Sequence, residues 1–298
     1  MSIFNRIPKL IRRSEKLSIG ISLSPAMFWI VFFFLIPVGI VVIYSFWDMI
    51  GTRLIPVWDF HNYADIFTRA GGMYTKLLVK SLGMAVLVTV GSIALAYPVA
   101  YYVSLRIEKY KYTWLILLMG PYFVSWVILV FGWRLVIGYS GLLNQVIMSL
   151  GLISEPISWM WNNWWTVVFL LIMGWAPWIV FPMFVSLEKI DKSLLEAAAD
   201  LGANSVKRFL KITLPLSSPG LLVATFFVLI PVLGEFVTPV LAGGSEGVMY
   251  GNTIDSAFTA MMAWPFGSAL SIFLIIISLT VSTILIRVIG IEKLMESL

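Results

Sequence analysis

Long apolar runs alternate with shorter polar segments along this chain. Six of the runs, at 25–46, 82–105, 114–137, 164–187, 219–242 and 269–289, reach the length of about 20 residues that a bilayer-spanning helix needs. The first has no charged side chain and follows a segment bearing Arg6, Lys9, Arg12, Arg13 and Lys16. A secretory leader shares that order, but this run is too long and no small-residue cleavage site follows it, so a retained signal anchor is expected. The polar segment 48–80 carries Asp48, Arg53, Asp59, His61, Asp65, Arg69 and Lys76, with Pro56 and Gly71-Gly72 as breakers. The segment 138–163 contains Asn144, Gln145, Glu155 and Pro156 but no Lys or Arg, and a Gly-rich loop is expected to run to about residue 267.

Composition excludes other solvents. Hydrophobic residues make up 60% of the 298 positions and charged residues 12%, and mean hydropathy is +0.97. A soluble domain has about 45–50% apolar and about 25% charged residues, and no globule of this size hides that much apolar surface. Soluble enzymes, coiled coils, nucleic-acid-binding domains and disorder are therefore set aside. The chain has no cysteine and one histidine, His61, which is expected to be a solvated loop residue. No metal site is expected. The fold class is all-α, a polytopic membrane protein of six transmembrane helices forming a single domain over 1–298.

Net charge is +5, but its distribution says more than its total. Five Lys and Arg lie before the first run. Three more (Arg106, Lys109, Lys111) fill the second connection, five (Lys189, Lys192, Lys207, Arg208, Lys211) the fourth, and two (Arg287, Lys293) the C-terminal end. Those fifteen share one side, against Arg53, Arg69, Lys76, Lys80 and Arg134 on the other. The positive-inside rule then puts both termini in the cytoplasm and Trp159, Trp161, Trp164 and Trp165 in an outer aromatic belt.

The segment 188–215 is the charged exception to the apolar pattern. Ser193 is positioned to cap a helix, with Glu196 three residues on as in a capping box. Leu194, Leu195, Ala197, Ala198 and Leu201 follow, and Gly202 stops the helix. Ser205 begins a second helix bearing Val206, Phe209, Leu210 and Ile212, and Pro215 breaks it. An amphipathic connection on lipid headgroups accounts for the basic residues. It does not account for Glu196 and Asp200 around a run of alanines, which suit a protein groove better.

The spacing Glu196-Ala197-Ala198, then Gly202, then Ile212-Thr213-Leu214-Pro215 resembles the EAA motif of the inner-membrane permease subunits of bacterial ABC importers. The likeness in topology covers most of the chain. It implies a type I importer fold with alternating access at the interface of two permease subunits, the second being another chain or another copy. It also implies a coupling helix containing Glu196, Ala197, Ala198 and Asp200, a turn at Gly202 and an exit at Pro215, docked on two cytoplasmic ATPase subunits. An extracytoplasmic solute-binding protein is implied as a further partner. The chain contains no Gly-Lys-Ser or Gly-Lys-Thr phosphate loop, so no cofactor is expected on it, and ATP and Mg belong to the ATPase.

Inside the fifth run, Glu235 stands among Pro231, Gly234 and Pro239. Ionisable residues within spans are functional candidates, and broken helices line the paths of polar cargo. Three readings stay open: cargo contact, an ion pair with Arg134, or a protonated glutamic acid tying helices together. Asp255, in the outer loop before Trp264, is assigned to the mouth of the pathway or to a docked binding protein. The segments 187–198, 231–237 and 264–269 resemble the spermidine/putrescine branch of these permeases, and related branches carry iron, opines and other small solutes. An ion-coupled secondary carrier is the rival of another class, yet Glu235 and Arg134 are its only coupling candidates and no inverted repeat is visible. A membrane enzyme would lack catalytic machinery, since neither His-Glu-x-x-His nor Gly-x-Ser-x-Gly occurs.

Overall fold

Lipid offers a backbone no water to hydrogen-bond, so each spanning segment must satisfy its own N–H and C=O groups within a helix. Helices accordingly dominate the computed structural model, which describes residues 15–289. The basic residues Arg6, Lys9, Arg12, Arg13 and Lys293 lie outside the described residues.

Helix α1 (Glu15–Ile30) passes through a π turn (Val31–Leu35) into α2 (Ile36–Tyr44). The wide turn coincides with Pro37, which has no N–H to give the preceding turn. The apolar span is Ser22–Tyr44, and its Phe28, Trp29, Phe32 and Phe33 rings stack on one another while staying exposed.

The segment 48–80 is more ordered than a polar connection. Strands β1 (Asp48–Ile50) and β2 (Arg53–Ile55) pair antiparallel, with Met49 opposite Leu54, and are the one sheet among the described residues. Helix α3 (His61–Thr68) and a 3₁₀ turn (Arg69–Gly72) follow. His61 is thus the first residue of a helix rather than a loop residue, and its ring nitrogens lie 3.6 Å from the carboxylates of Asp48 and Asp59.

The second span starts earlier than residue 82. Helix α4 runs over Met73–Leu105, with Tyr74, Leu78, Ser81, Ala85, Val88, Ser92 and Ala96 buried at three- and four-residue spacing. Lys80 obscured this start, and its ammonium is taken up by the backbone carbonyls of Glu246 and Val248.

The third span is broken where one continuous helix was expected over 114–137. Helix α5 (Lys111–Met119) ends in a 3₁₀ turn at Gly120–Phe123, and α6 (Trp126–Ile137) starts after extended Val124 and Ser125. Pro121 explains the break, because it cannot continue the helical ladder. Helix α7 (Leu142–Ser149) then occupies part of the polar segment 138–163.

Helix α8 (Trp164–Glu188) matches the fourth run to within a residue. Helices α9 (Lys192–Asp200) and α10 (Ser205–Arg208), a π turn (Phe209–Thr213) and the short α11 (Leu214–Leu216) lead to α12 (Ser218–Leu233). A π turn at Pro239–Gly243, α13 (Tyr250–Phe258) and α14 (Trp264–Ile289) complete the described chain. The last helix begins five residues before the expected 269.

Among the described residues, five helices are long and apolar enough to cross a membrane, and a sixth crossing is counted when the pair bent by 65° at Ser217 is taken as one span. The core lies where α4, α8 and α12 meet, around Ala85, Val88, Leu171, Ile179, Met183, Val228 and Val232. Since lipid is as apolar as leucine, close packing rather than water exclusion holds such helices together. A smaller cluster of Ile66, Tyr74, Leu78, Tyr250, Phe266 and Leu270 joins α3 and α13 to α4 and α14. Trp161 is buried with Val130, Ile137, Leu170 and Ala242, so it belongs to the core rather than to an aromatic belt. Trp164 and Trp165 stack at 3.8 Å between centroids, with Trp165 exposed. The side chain of Trp159 lies outside the described residues.

Candidate functional site

Two places combine polar chemistry with an interruption of helical order: the hairpin α9–α10 and the break in the fifth span.

The hairpin forms as expected, but with different caps. Asp191, not Ser193, begins α9: its Oδ1 accepts the Ser193 N–H at 2.9 Å. That backbone hydrogen bond, with a further one from the Ser193 side chain, lowers the Asp191 carboxyl below the ordinary carboxylate value. Asn204, not Ser205, caps α10 by accepting the Lys207 N–H at 2.9 Å. Asp and Asn at these positions present a side-chain oxygen acceptor, a role that Ser and Thr share but do not monopolise. At its other end α9 closes in a Schellman arrangement. The Ala203 N–H donates to the Ala198 carbonyl at 2.9 Å and the Gly202 N–H to the Ala199 carbonyl at 2.8 Å. Gly202 sits at φ +81°, in the left-handed region that this motif demands.

Glu196, Ala197, Asp200 and Leu201 are exposed on α9, with Leu201 at 88%, while Ala198 is half-buried. Glu196 also borders a cavity of about 220 Å³ behind the helix, together with Tyr101, Arg106, Lys192 and Arg208. The Arg208 guanidinium reaches the Leu195 carbonyl and Ser205 Oγ, each at 3.4 Å, and so joins the two helices. Phe209 meets Tyr97 and Tyr101 of α4 edge-on, at 5.8 and 6.2 Å. Pro215 does not end the segment. It lies within α11, and the bend comes two residues later at Ser217, whose buried hydroxyl shares a 2.7 Å hydrogen bond with Tyr97.

In the fifth span, α12 stops at Gly234 and the chain resumes helical geometry after Phe236. Glu235 occupies the gap, half-buried. Its Oε1 accepts the Val237 and Thr238 N–H groups, both at 2.9 Å, and the Thr238 hydroxyl at 3.3 Å. The carboxylate is therefore the N-cap of the second half of the span, a favourable place for negative charge. No Lys or Arg among the described residues pairs with it. Arg134, considered as its partner, instead lies over the Trp161 ring at 5.9 Å. The other oxygen, Oε2, accepts no hydrogen bond from the described residues.

Helix α13 closes over this break. Asn252 Nδ2 donates to the Phe236 carbonyl at 2.8 Å. Gly251 lies so near that a Cβ there would fall 2.5 Å from the Glu235 carbonyl oxygen and 2.6 Å from that of Gly234. Asp255, expected in a loop, is half-buried on the same helix, one turn beyond Gly251. Nothing in the hydropathy or charge pattern singles out Gly251, Asn252, Thr238 and Trp126. Glu235-Phe-Val-Thr-Pro239 did carry a signal, since a carboxylate followed shortly by proline is a helix-start pattern.

Residues 18–291 match the family described as binding-protein-dependent transport system inner membrane component. The spermidine/putrescine transport system permease protein PotB of Haemophilus influenzae is 33% identical over 265 residues, 88% of this chain and 90% of that protein. Among solved structures, a chain of a bacterial ABC transporter involved in the import of the acidic polysaccharide alginate superposes with a TM-score of 0.73 at 17% identity, covering 95% of this chain and 98% of that one. A chain of the bacterial alginate transporter in complex with an alginate pentasaccharide-bound periplasmic protein gives 0.72 at 17% identity, with 95% and 96% covered. These two likenesses are of fold.

Proposed function

The chain belongs to the family of binding-protein-dependent transport system inner membrane components, and from that premise we propose that it is the permease subunit of an ABC importer for a small polycation of the spermidine and putrescine type. It does no bond chemistry. The α9 hairpin, with Glu196, Ala197, Ala198 and Asp200 on its helix, docks on a cytoplasmic ATPase that holds ATP and Mg, two copies per transporter. A second permease chain, or a second copy of this one, completes the pathway. A periplasmic binding protein delivers cargo near α13 and Asp255. Both termini then lie in the cytoplasm, which the sorting of Lys and Arg supports.

The fold suggests how the two ends act together. Helix α12 continues the hairpin through the bend at Ser217 and ends at Gly234, so one element of 16 residues, about 24 Å long, reaches from the docking hairpin to Glu235. A displacement of α9 by a closing ATPase dimer is thereby delivered at the break. Gly202 and the two caps keep the hairpin stiff enough to transmit it.

The observation that carries the cargo assignment is Oε2 of Glu235. A half-buried carboxylate in a broken span, capped on one oxygen and paired with no cation among the described residues, is an acceptor for an ammonium group. Glu235→Gln tests this cleanly, because the amide oxygen keeps the cap while the charge is lost. The purified permease–ATPase complex, without binding protein, is expected to bind radiolabelled spermidine about tenfold more weakly, the loss of one hydrogen bond to a charged group. ATP-driven uptake falls with it, while co-purification of the ATPase is retained. Unaltered spermidine affinity and uptake would overturn the assignment.

A further inference from the structure

Glu235 is aimed rather than merely present, by Thr238 of its own span and, through it, by Trp126 of the third span. Thr238 Oγ1, fully buried, donates to Glu235 Oε1 at 3.3 Å and accepts the indole N–H of Trp126 at 2.8 Å. The sense of this chain is fixed by chemistry. An indole nitrogen only donates, and a hydroxyl has one hydrogen to give onward. The run is therefore Trp126 to Thr238 to carboxylate. With two backbone N–H groups added, Oε1 has three donors, which fills it and leaves Oε2 as the only open acceptor.

Trp126 is itself held. It is the first residue of α6, directly after the break in the third span. Its ring lies against Gly174 of α8, where a Cβ would come within 2.1 Å of the indole, and tilts against Trp175 at 6.2 Å. The break of the third span is thus bonded to the break of the fifth across 112 residues of sequence.

We propose that Trp126 and Thr238 are positioning residues for cargo recognition, fixing the Glu235 carboxylate so that Oε2 meets an ammonium group of the cargo. This rests on Glu235 as the cargo contact. A rotating carboxylate would spend ordering entropy on each binding event, whereas a pre-set one does not.

The test uses the reconstituted permease–ATPase complex and reads equilibrium binding of radiolabelled spermidine together with cargo moved per ATP hydrolysed. Trp126→Phe keeps a ring in the Gly174 slot but removes the N–H, and Thr238→Val removes the hydroxyl at nearly constant shape. Each is expected to weaken spermidine binding about fivefold, somewhat less than the loss of a direct charged hydrogen bond, and to lower cargo moved per ATP. Thr238→Ser, which restores the hydroxyl, is expected to bind like the unaltered protein. Combined with Glu235→Gln, Trp126→Phe is expected to add little, because both act through one carboxylate.

Weakened binding in Glu235→Gln with normal binding in Trp126→Phe and Thr238→Val would overturn the positioning role while leaving the cargo contact standing. Normal binding in all three would overturn both. A merely structural role predicts lower thermal stability with affinity intact in the assembled fraction, and that result also overturns the proposal. If Thr238→Val fails to assemble, Trp126→Phe decides alone.

Discussion

Gly202 and Glu235 show two ways in which a single residue sets this structure. Gly202 acts through its backbone: at φ +81° with open space around it, an alanine there meets no atom and costs only the left-handed conformation, about 1–2 kcal/mol. Gly202→Ala is therefore expected to loosen the end of α9, and hydrogen exchange at the Gly202 and Ala203 amides should quicken by about fivefold or more, as about 1 kcal/mol requires. Unchanged exchange there would show that the Schellman turn is not what holds the hairpin. Glu235 acts through its side chain. It stood out in the sequence because a carboxylate among apolar residues has few explanations. Its donors did not, because Thr238 and Trp126 are uncharged residues of kinds that any span contains. Arg134 drew attention for the opposite reason, as the conspicuous cation, and the Trp161 ring accounts for it instead.

Among the elements, the spanning helices were readable from the length of their apolar runs. The fourth run, expected over 164–187, is α8 at Trp164–Glu188. Boundaries failed where tertiary contacts absorb a charge, as the carbonyls of Glu246 and Val248 do for Lys80 within α4. They failed again where a hydropathy profile is blind to backbone breaks, as at Pro121 between α5 and α6. Short amphipathic pieces such as α3, α7 and α13 carry too few residues for a periodic signal. Helix α13 is nonetheless fitted to the break at backbone contact, and Gly251→Ala tests that fit. The new methyl would meet the carbonyl oxygens of Glu235 and Gly234, which are backbone and cannot swing aside. Overpacking of this kind costs about 1–3 kcal/mol, at about 2–4 °C of Tm per kcal/mol for a chain of this class. A lower thermal midpoint of the purified complex is the expected result, and an unchanged one would mean that α13 and the break are free to separate.

Across the whole molecule, α12 joins the hairpin proposed to dock on the ATPase to the break at Glu235 proposed to bind cargo. The hairpin is also tied to neighbouring spans. Phe209, next after α10, rests on Tyr97 and Tyr101 of α4, and among the spans Lys111 of α5 bridges Glu188 of α8 at 3.0 Å and the Ser104 carbonyl of α4 at 2.8 Å. The scarcity of charge, which announced a membrane protein, also made its exceptions informative: a carboxylate on the hairpin surface and a carboxylate in the broken span. The proposed function is decided by uptake of radiolabelled spermidine into proteoliposomes containing this chain with an ATPase, a permease partner and a binding protein. Uptake is expected to require ATP and the binding protein, to be insensitive to collapse of proton and sodium gradients, and to be lost when Glu196 and Gly202 are both replaced. Uptake that proceeds without ATP on an ion gradient, or that survives the double replacement, would contradict it.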